Sequence, residues 1–212
     1  MTLDTIITQF ELQVSDTTEL SSTEEVIVAN RVYTYICNQR PWQFLKTSAS
    51  GTISSDTNGS YITAPSDFAY FLANNTYTDN SATIYNNTDA KVIFIGSNYT
   101  PYQIINWSDR RQYRNKSGYA YYDAPNGVIR FTAMPQGNTY EFDYIMNPTA
   151  LTVADSPIFP ARFHDIIVYG MAVDDQIIQL SPKATSYAAE NQMKYNTLLA
   201  QMKMWDANLQ MM

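Results

Sequence analysis

Apolar residues at Leu3, Ile6, Ile7, Phe10 and Val14 recur at steps of three and four, which predicts a short amphipathic helix at the start of the chain. A second helix opens at Ser21 or Ser22, a hydroxyl cap followed by Thr23, Glu24 and Glu25, whose acids complement the positive end of the helix dipole. It runs to about Asn38 with Val26, Ala29, Val32, Tyr33 and Ile36 on its buried side. Pro41 stops it, because proline drives the residue before it out of the helical region.

From Trp42 onward the texture changes to β-branched and aromatic residues separated by polar turn clusters such as Asp56, Asn58 and Gly59. Short strands are predicted over Gln43 to Ser54, Ser60 to Thr63, Ala69 to Leu72, Ala82 to Tyr85, Lys91 to Ile95 and Tyr102 to Trp107. Two more, Tyr119 to Asp123 and Val128 to Ala133, flank Asn126-Gly127, a strong hairpin signal. Tyr140 to Met146 then alternates, with Tyr140, Phe142, Tyr144 and Met146 on one side and Glu141, Asp143 and Ile145 on the other.

Residues 147 to 160 carry Pro148, Pro157 and Pro160 and read as an extended linker; Pro160 suits the first turn of a helix. Phe163, Ile166, Ile167, Gly170, Val173, Ile177 and Leu180 then form a helical stripe, in which a mid-helix glycine implies close contact with another helix. After a break at Ser181-Pro182, Asn191, Tyr195, Leu198, Met202, Trp205, Leu209 and Met212 define a seam on a last helix.

Helix, then β, then helix means that the chain ends must pack on each other. The predicted fold class is α+β: a helical base from the N- and C-terminal helices, residues 1–42 and 158–212, with an inserted antiparallel β-sandwich or barrel module over 43–157. At 212 residues such a chain needs no covalent staple to hold its core.

Charge and rare residues narrow the chemistry. A net charge of −7 argues against gripping nucleic acid through its phosphates, though it suits a protein past which nucleic acid slides. Cys37 is the single cysteine and His164 the single histidine, so neither a disulfide framework nor a Cys/His zinc site can be built, and no cofactor site is predicted. The start of the chain lacks a signal-peptide pattern and no run of eighteen apolar residues occurs, so a soluble intracellular protein without membrane contact is expected. Six N-x-S/T triplets, from Asn58 to Asn115, then reflect Asn/Thr/Ser-rich strands and turns rather than glycosylation.

Cys37 and His164 could be nucleophile and base, but no strand-turn-helix elbow surrounds Cys37, and a buried structural cysteine and a helix-boundary histidine are the expected readings. Glu24-Glu25 and Asp174-Asp175 are adjacent acids; helix neighbours point about 100° apart, so a solvated face is favoured over a glycosidase pair. Arg110, Arg111, Arg114 and Lys116, with Tyr113 among them and Asp109 beside them, form the only basic cluster. In an acidic protein a subunit contact through Arg110, Arg111, Tyr113 and Arg114 is favoured over a nucleic-acid grip. Five of the nine methionines lie in the last twenty residues, Met193, Met202, Met204, Met211 and Met212, so part of the last helix is a candidate to dock elsewhere, against the alternative that its stripe is simply core.

Four segments in order resemble the head-to-tail adaptor proteins of tailed bacteriophages, the group that includes the podovirus tail tubular protein A. They are RPWQFL at 40–45; YITAPSDF at 61–68, with Ala64 where leucine is usual; GVIRFTAMP at 127–135 followed by YEFDYIMNP at 140–148; and FPARFHDIIVYGMAVDD at 159–175. Residues 73–118 lie outside the resemblance. It implies a non-enzymatic structural virion protein, a ring usually of about twelve copies seated under the portal that joins capsid to tail and lets the genomic DNA pass without specific binding. The implied partners are the portal protein, a tail or nozzle protein and copies of the chain itself, and the implied location is the phage neck or tail, assembled in the host cytoplasm. In that setting Tyr195, Leu198, Met202, Trp205 and Leu209 are the candidates for portal docking. A carbohydrate- or receptor-binding β-module, suggested by seventeen tyrosines and Asn/Thr loops, is the alternative, and a hydrolase using acids of the β-region is a third.

Overall fold

Residues 1–45 fold with 148–212 as one unit and residues 46–147 form a second; the computed structural model describes residues 1–14, 20–72, 76–79, 82–86, 91–135, 137–174 and 182–210. The fold class is α+β, with helices before and after a nearly closed, barrel-like sheet in the sequence.

The first unit contains α1 (Leu3–Val14), α2 (Ser22–Cys37), α3 (Asp165–Ala172) and α4 (Pro182–Gln210). All five residues of the predicted α1 stripe are buried. Ser21 is the cap of α2: its hydroxyl accepts from the Glu24 amide while the Glu24 carboxylate accepts from the Ser21 amide at 2.8 Å, a reciprocal capping box. Val26 is only half-buried and Val28 takes the inward place, because the stripe of α2 runs Glu25, Val28, Ala29, Val32, Tyr33, Ile36 and Cys37. At the far end Trp42 donates its indole N–H to the Ile36 carbonyl at 2.9 Å, which satisfies a terminal helix group just beyond Pro41.

The proline-rich stretch packs on the helices instead of running free. Leu151 exchanges two hydrogen bonds with the Asn30 side chain, at 2.7 and 2.9 Å, as a neighbouring strand would. The Asp155 and Val153 carbonyls accept from the Leu3 and Asp4 amides at 2.8 and 3.0 Å and so satisfy open donors of α1. The predicted helix from Pro160 begins as a 3-10 turn, Ala161–Phe163, before α3. Phe163, Ile166, Ile167 and Gly170 of its stripe are buried and Val173 is half-buried, while Ile177 and Leu180 lie outside the described residues. Gly170 is where helices meet: a Cβ there would stand 2.4 Å from Val32 Cγ1 and 3.1 Å from Tyr195 Cε2.

The second unit is built from β1 (Lys46–Thr52), β2 (Ser54–Asp56), β3 (Gly59–Thr63), β4 (Phe68–Phe71), β5 (Thr76–Asp79), β6 (Ala82–Asn86), β7 (Val92–Ile95), β8 (Thr100–Ile105), β9 (Tyr119–Asp123), β10 (Val128–Phe131) and β11 (Thr139–Met146). Nine strands form one sheet in the order β1-β11-β7-β8-β9-β10-β3-β2, with β4 also on β11. Only Ile53 separates β1 from β2, so the two ends of that path are one bent strand and the sheet curls towards closure. The curl encloses Ile62, Phe68, Phe71, Ile93, Ile95, Tyr102, Ala120, Ile129, Phe131, Phe142 and Tyr144.

Three local differences from the sequence reading have physical causes. The expected strand from Gln43 to Ser54 is a 3-10 turn, Gln43–Leu45, followed by two strands broken at Ile53, where the sheet bends. The β9–β10 hairpin forms, but its turn is a 3-10 segment over Ala124–Asn126 with only Gly127 left-handed, at φ 61°, not a two-residue turn on Asn126-Gly127. Among the described residues every strand pair is antiparallel except β8 with β9, Gln103 opposite Tyr119, because the chain between them loops back to the start of the neighbouring strand.

Candidate functional site

The seam of α4 divides between core and surface. Asn191, Tyr195, Met202 and Asp206 are buried in the helical unit, Leu198 and Trp205 are half-buried, Leu209 is 40% exposed and Met212 lies outside the described residues. Trp205 packs on Phe163 at 5.8 Å between centroids with the Arg162 guanidinium 5.3 Å from its ring. Of the residues expected to dock, Tyr195 and Met202 therefore face their own unit, since burial beside Gly170 and α3 claims them. The outward face instead carries Met193 and Met204, 64% and 61% exposed, eleven residues and so three turns apart. Between them Thr197, Ala200 and Gln201 are exposed and uncharged.

Two buried polar residues, Asn191 of the predicted seam and Asp206, which the pattern did not flag, fix α4 in place. Asn191 accepts from the Gln13 side chain at 3.1 Å. Asp206, 0% exposed, accepts from the Gln43 amide at 2.6 Å and faces the Arg40 guanidinium at 3.3 Å. The RPWQFL segment is thereby explained: Arg40 and Gln43 hold Asp206, Trp42 closes α2, and Phe44 stacks on Trp42 at 5.4 Å.

The basic cluster sits on the crossover from β8 to β9, residues 106–118, around a 3-10 turn over Trp107–Arg111. Arg110 lies 3.2 Å over the Trp107 ring and donates to the Trp107 carbonyl at 2.6 Å. Tyr113 packs against Tyr119 at 4.4 Å and under Lys116 at 5.2 Å. Arg111 and Arg114 are exposed. The crossover thus carries two separate cation–aromatic pairs, Arg110 on Trp107 and Lys116 on Tyr113, with Arg111 and Arg114 exposed along the same segment.

Elsewhere in the β-unit, Arg130 reaches Asp56 with two hydrogen bonds, at 3.2 and 3.1 Å, and Asp123 with a third at 3.2 Å, so one fork ties β10 to β2 and β9. The Arg130 hydrogen bonds hold the Asp56 carboxyl below its usual range. In the YITAPSDF segment Asp67 accepts from the Tyr144 hydroxyl at 2.9 Å while Phe68 packs on Phe71, Tyr122, Phe142 and Tyr144. Burial, then Asp67, pushes the Tyr144 hydroxyl up to about 12.

Cys37 and His164 have separate structural partners. Burial pushes the Cys37 thiol up to about 12 against a hydrogen bond with Tyr33, which leaves it protonated at neutral pH. His164 donates from Nε2 to the Phe159 carbonyl at 2.9 Å and meets the Met1 amine through Nδ1 at 2.9 Å. Burial pushes it below its ordinary value. The adjacent acids point apart, but Glu25 departs from the expected solvated face: Glu24 serves the cap, whereas Glu25 lies on the inward stripe of α2 and is raised by burial and then by the nearby Glu11. Asp174 pairs with Arg31, and Asp175 lies outside the described residues. Among the described residues no group of three His, Cys, Asp or Glu could hold a metal, and no helix is long and apolar enough to cross a membrane.

Glu24, Cys37, His164 and Asp174 are thus engaged in capping, packing or pairing, while Met193, Met204, Arg111 and Arg114 are exposed. The chain belongs to the SU10 adaptor protein family, which it matches over residues 1–211, and the family is one of structural phage adaptors. No curated protein matches the sequence.

Proposed function

We propose that the chain is a head-to-tail adaptor that forms a ring under the portal, joins capsid to tail and lets the genome pass, in the manner of the tail tubular protein A group. The observation that carries this reading is membership of an adaptor family along nearly the whole chain. The acidic balance supports it, because a lumen that repels phosphate offers passing DNA no point of adhesion.

In this reading α4 docks to the portal. Leu198, Trp205 and Leu209, joined by the exposed Met193 and Met204, are the contact residues; Tyr195 and Met202 keep the helix seated in its own unit. Exposed methionines can repack against a partner surface. The crossover residues Arg110, Arg111, Tyr113 and Arg114 form the subunit contact, meeting carboxylates of a neighbouring copy in a chain with twenty acidic residues. Other parts of the β-unit meet the tail or nozzle protein.

Imaging the purified protein with and without portal rings tests the reading: rings that appear, or cap the portal, are expected, and a chain that stays monomeric and leaves portals bare overturns it. Met204→Lys with Leu209→Lys should abolish capping while the circular dichroism of the monomer is unchanged. Normal capping by that variant removes the docking role from α4.

A further inference from the structure

The β5–β6 hairpin stands apart from the main sheet. Among the described residues its strands pair only with each other, Thr76 with Asn86, Tyr77 with Tyr85, Thr78 with Thr83 and Asp79 with Ala82, and neither joins the nine-stranded sheet. A two-stranded ribbon alone is at best marginally stable in water, and both outer edges of this one carry main-chain N–H and C=O groups that no described strand takes up. Asp79 is its one charged residue.

A matching vacancy lies in the same unit. Strand β1 pairs with β11 on one side and with no described strand on the other. Natural edges are guarded by charge, proline or a bulge. From Thr47 to Thr52 β1 has neither charge nor proline, its register with β11 is unbroken, and Ser48, Ser50, Gly51 and Thr52 are exposed. We infer that the β5–β6 hairpin is an assembly arm that adds as a further strand to the open edge of β1 in a second copy of the chain. The inference rests on the self-assembly proposed above.

The topology favours another copy over the chain's own edge. The hairpin follows β4 and precedes β7, and both of these pair with β11 on the side opposite β1. To lie beside its own β1 the arm would have to pass over β11 and β1, three strand spacings or about 14 Å, which takes the full reach of the shorter connection, residues 73–75. A connection stretched to that limit has no length left to rise over the side chains of β11 and β1. A neighbouring copy presents the same edge without a crossing, and main-chain hydrogen bonds supply the contact whatever the side chains.

Cross-linking decides the matter, because Cys37 is buried and the chain has no other cysteine. Adjacent strands place Cα atoms within the span a disulfide needs. Two full-length variants, Thr83→Cys and Ser50→Cys, are mixed with purified portal rings and oxidised. A heterodimer is expected at about ten times or more the yield of a control pair, Thr83→Cys with Asn98→Cys. Copies that cap the portal but give no excess heterodimer overturn the arm and leave the ring reading intact. Copies that neither cap the portal nor cross-link overturn both. A dilute double variant that closes the bond within one chain shows the arm on its own barrel and also overturns the inference.

Discussion

Replacing Gly170 by alanine should destabilise the helical unit, against the usual effect of that change in a helix. Away from close neighbours, alanine gains about 1 kcal/mol over glycine. Here the added Cβ would lie 2.4 Å from Val32 Cγ1, more than an ångström inside normal contact. Val32 cannot swing aside cheaply, since a β-branched side chain in a helix has one strongly preferred rotamer and leaving it costs about 0.5–1.5 kcal/mol. Tyr195 blocks the other direction at 3.1 Å. Overpacking of this kind costs about 1–3 kcal/mol, so after the alanine gain the net loss should be up to about 2 kcal/mol. Urea unfolding followed by tryptophan fluorescence reads it, because Trp42 and Trp205 both lie in this unit. In a Val32→Ala background the obstructing methyl is gone, and the glycine-to-alanine step should shrink towards zero or turn favourable. The double-mutant cycle should therefore show coupling close to the overpacking cost, about 1–3 kcal/mol. Equal cost in both backgrounds, or a Gly170→Ala protein more stable than the parent, would refute the close crossing.

Asp206→Ala should cost about 2–4 kcal/mol, because it leaves the Gln43 amide without its acceptor and the Arg40 guanidinium without its ion-pair partner; Asp206→Asn, which can still accept from that amide, should cost less, and equal losses would show that the amide contact contributes nothing. Since burial lowers the His164 pKa, the neutral ring's contribution should be complete above its unfolded value near 6.5 and be lost as pH falls below it. Unfolding midpoints at pH 7.5 and 5.5 should differ more in the parent than in His164→Asn, and the same difference in both would exclude this histidine. Arg130→Lys should lower the unfolding midpoint of the β-unit, and Arg130→Ala lower it further, since lysine cannot reproduce the fork that spans Asp56 and Asp123. A lysine variant as stable as the parent would show that charge alone suffices there.

The features legible in advance were those written locally. The α1 stripe, the cap at Ser21, the β9–β10 pairing and the alternation of β11 depend on residues a few positions apart, where helical or two-residue periodicity reports directly which side is buried. The glycine at 170 also announced itself, because a costly residue in mid-helix needs a neighbour to justify it. The basic crossover was visible as a charge cluster, though the Trp107 stack that organises it was not. Asn191 was placed on the seam, though its Gln13 partner was not foreseen, whereas Asp206 stayed hidden: a charged residue reads as exposed until its partners, far along the chain, are known.

By itself, then, the sequence determined the helix-β-helix order, the inward stripes and the lack of a second cysteine or histidine on which a metal or disulfide site would depend. Tertiary structure alone decided that Tyr195 and Met202 turn inwards while Met193 and Met204 face out, that β8 lies parallel to β9, and that among the described residues the β5–β6 hairpin joins no other strand. The reason is the range of the interactions: periodicity fixes which residues share a face, but which face is covered depends on contacts between segments more than a hundred residues apart, such as Gln43 with Asp206.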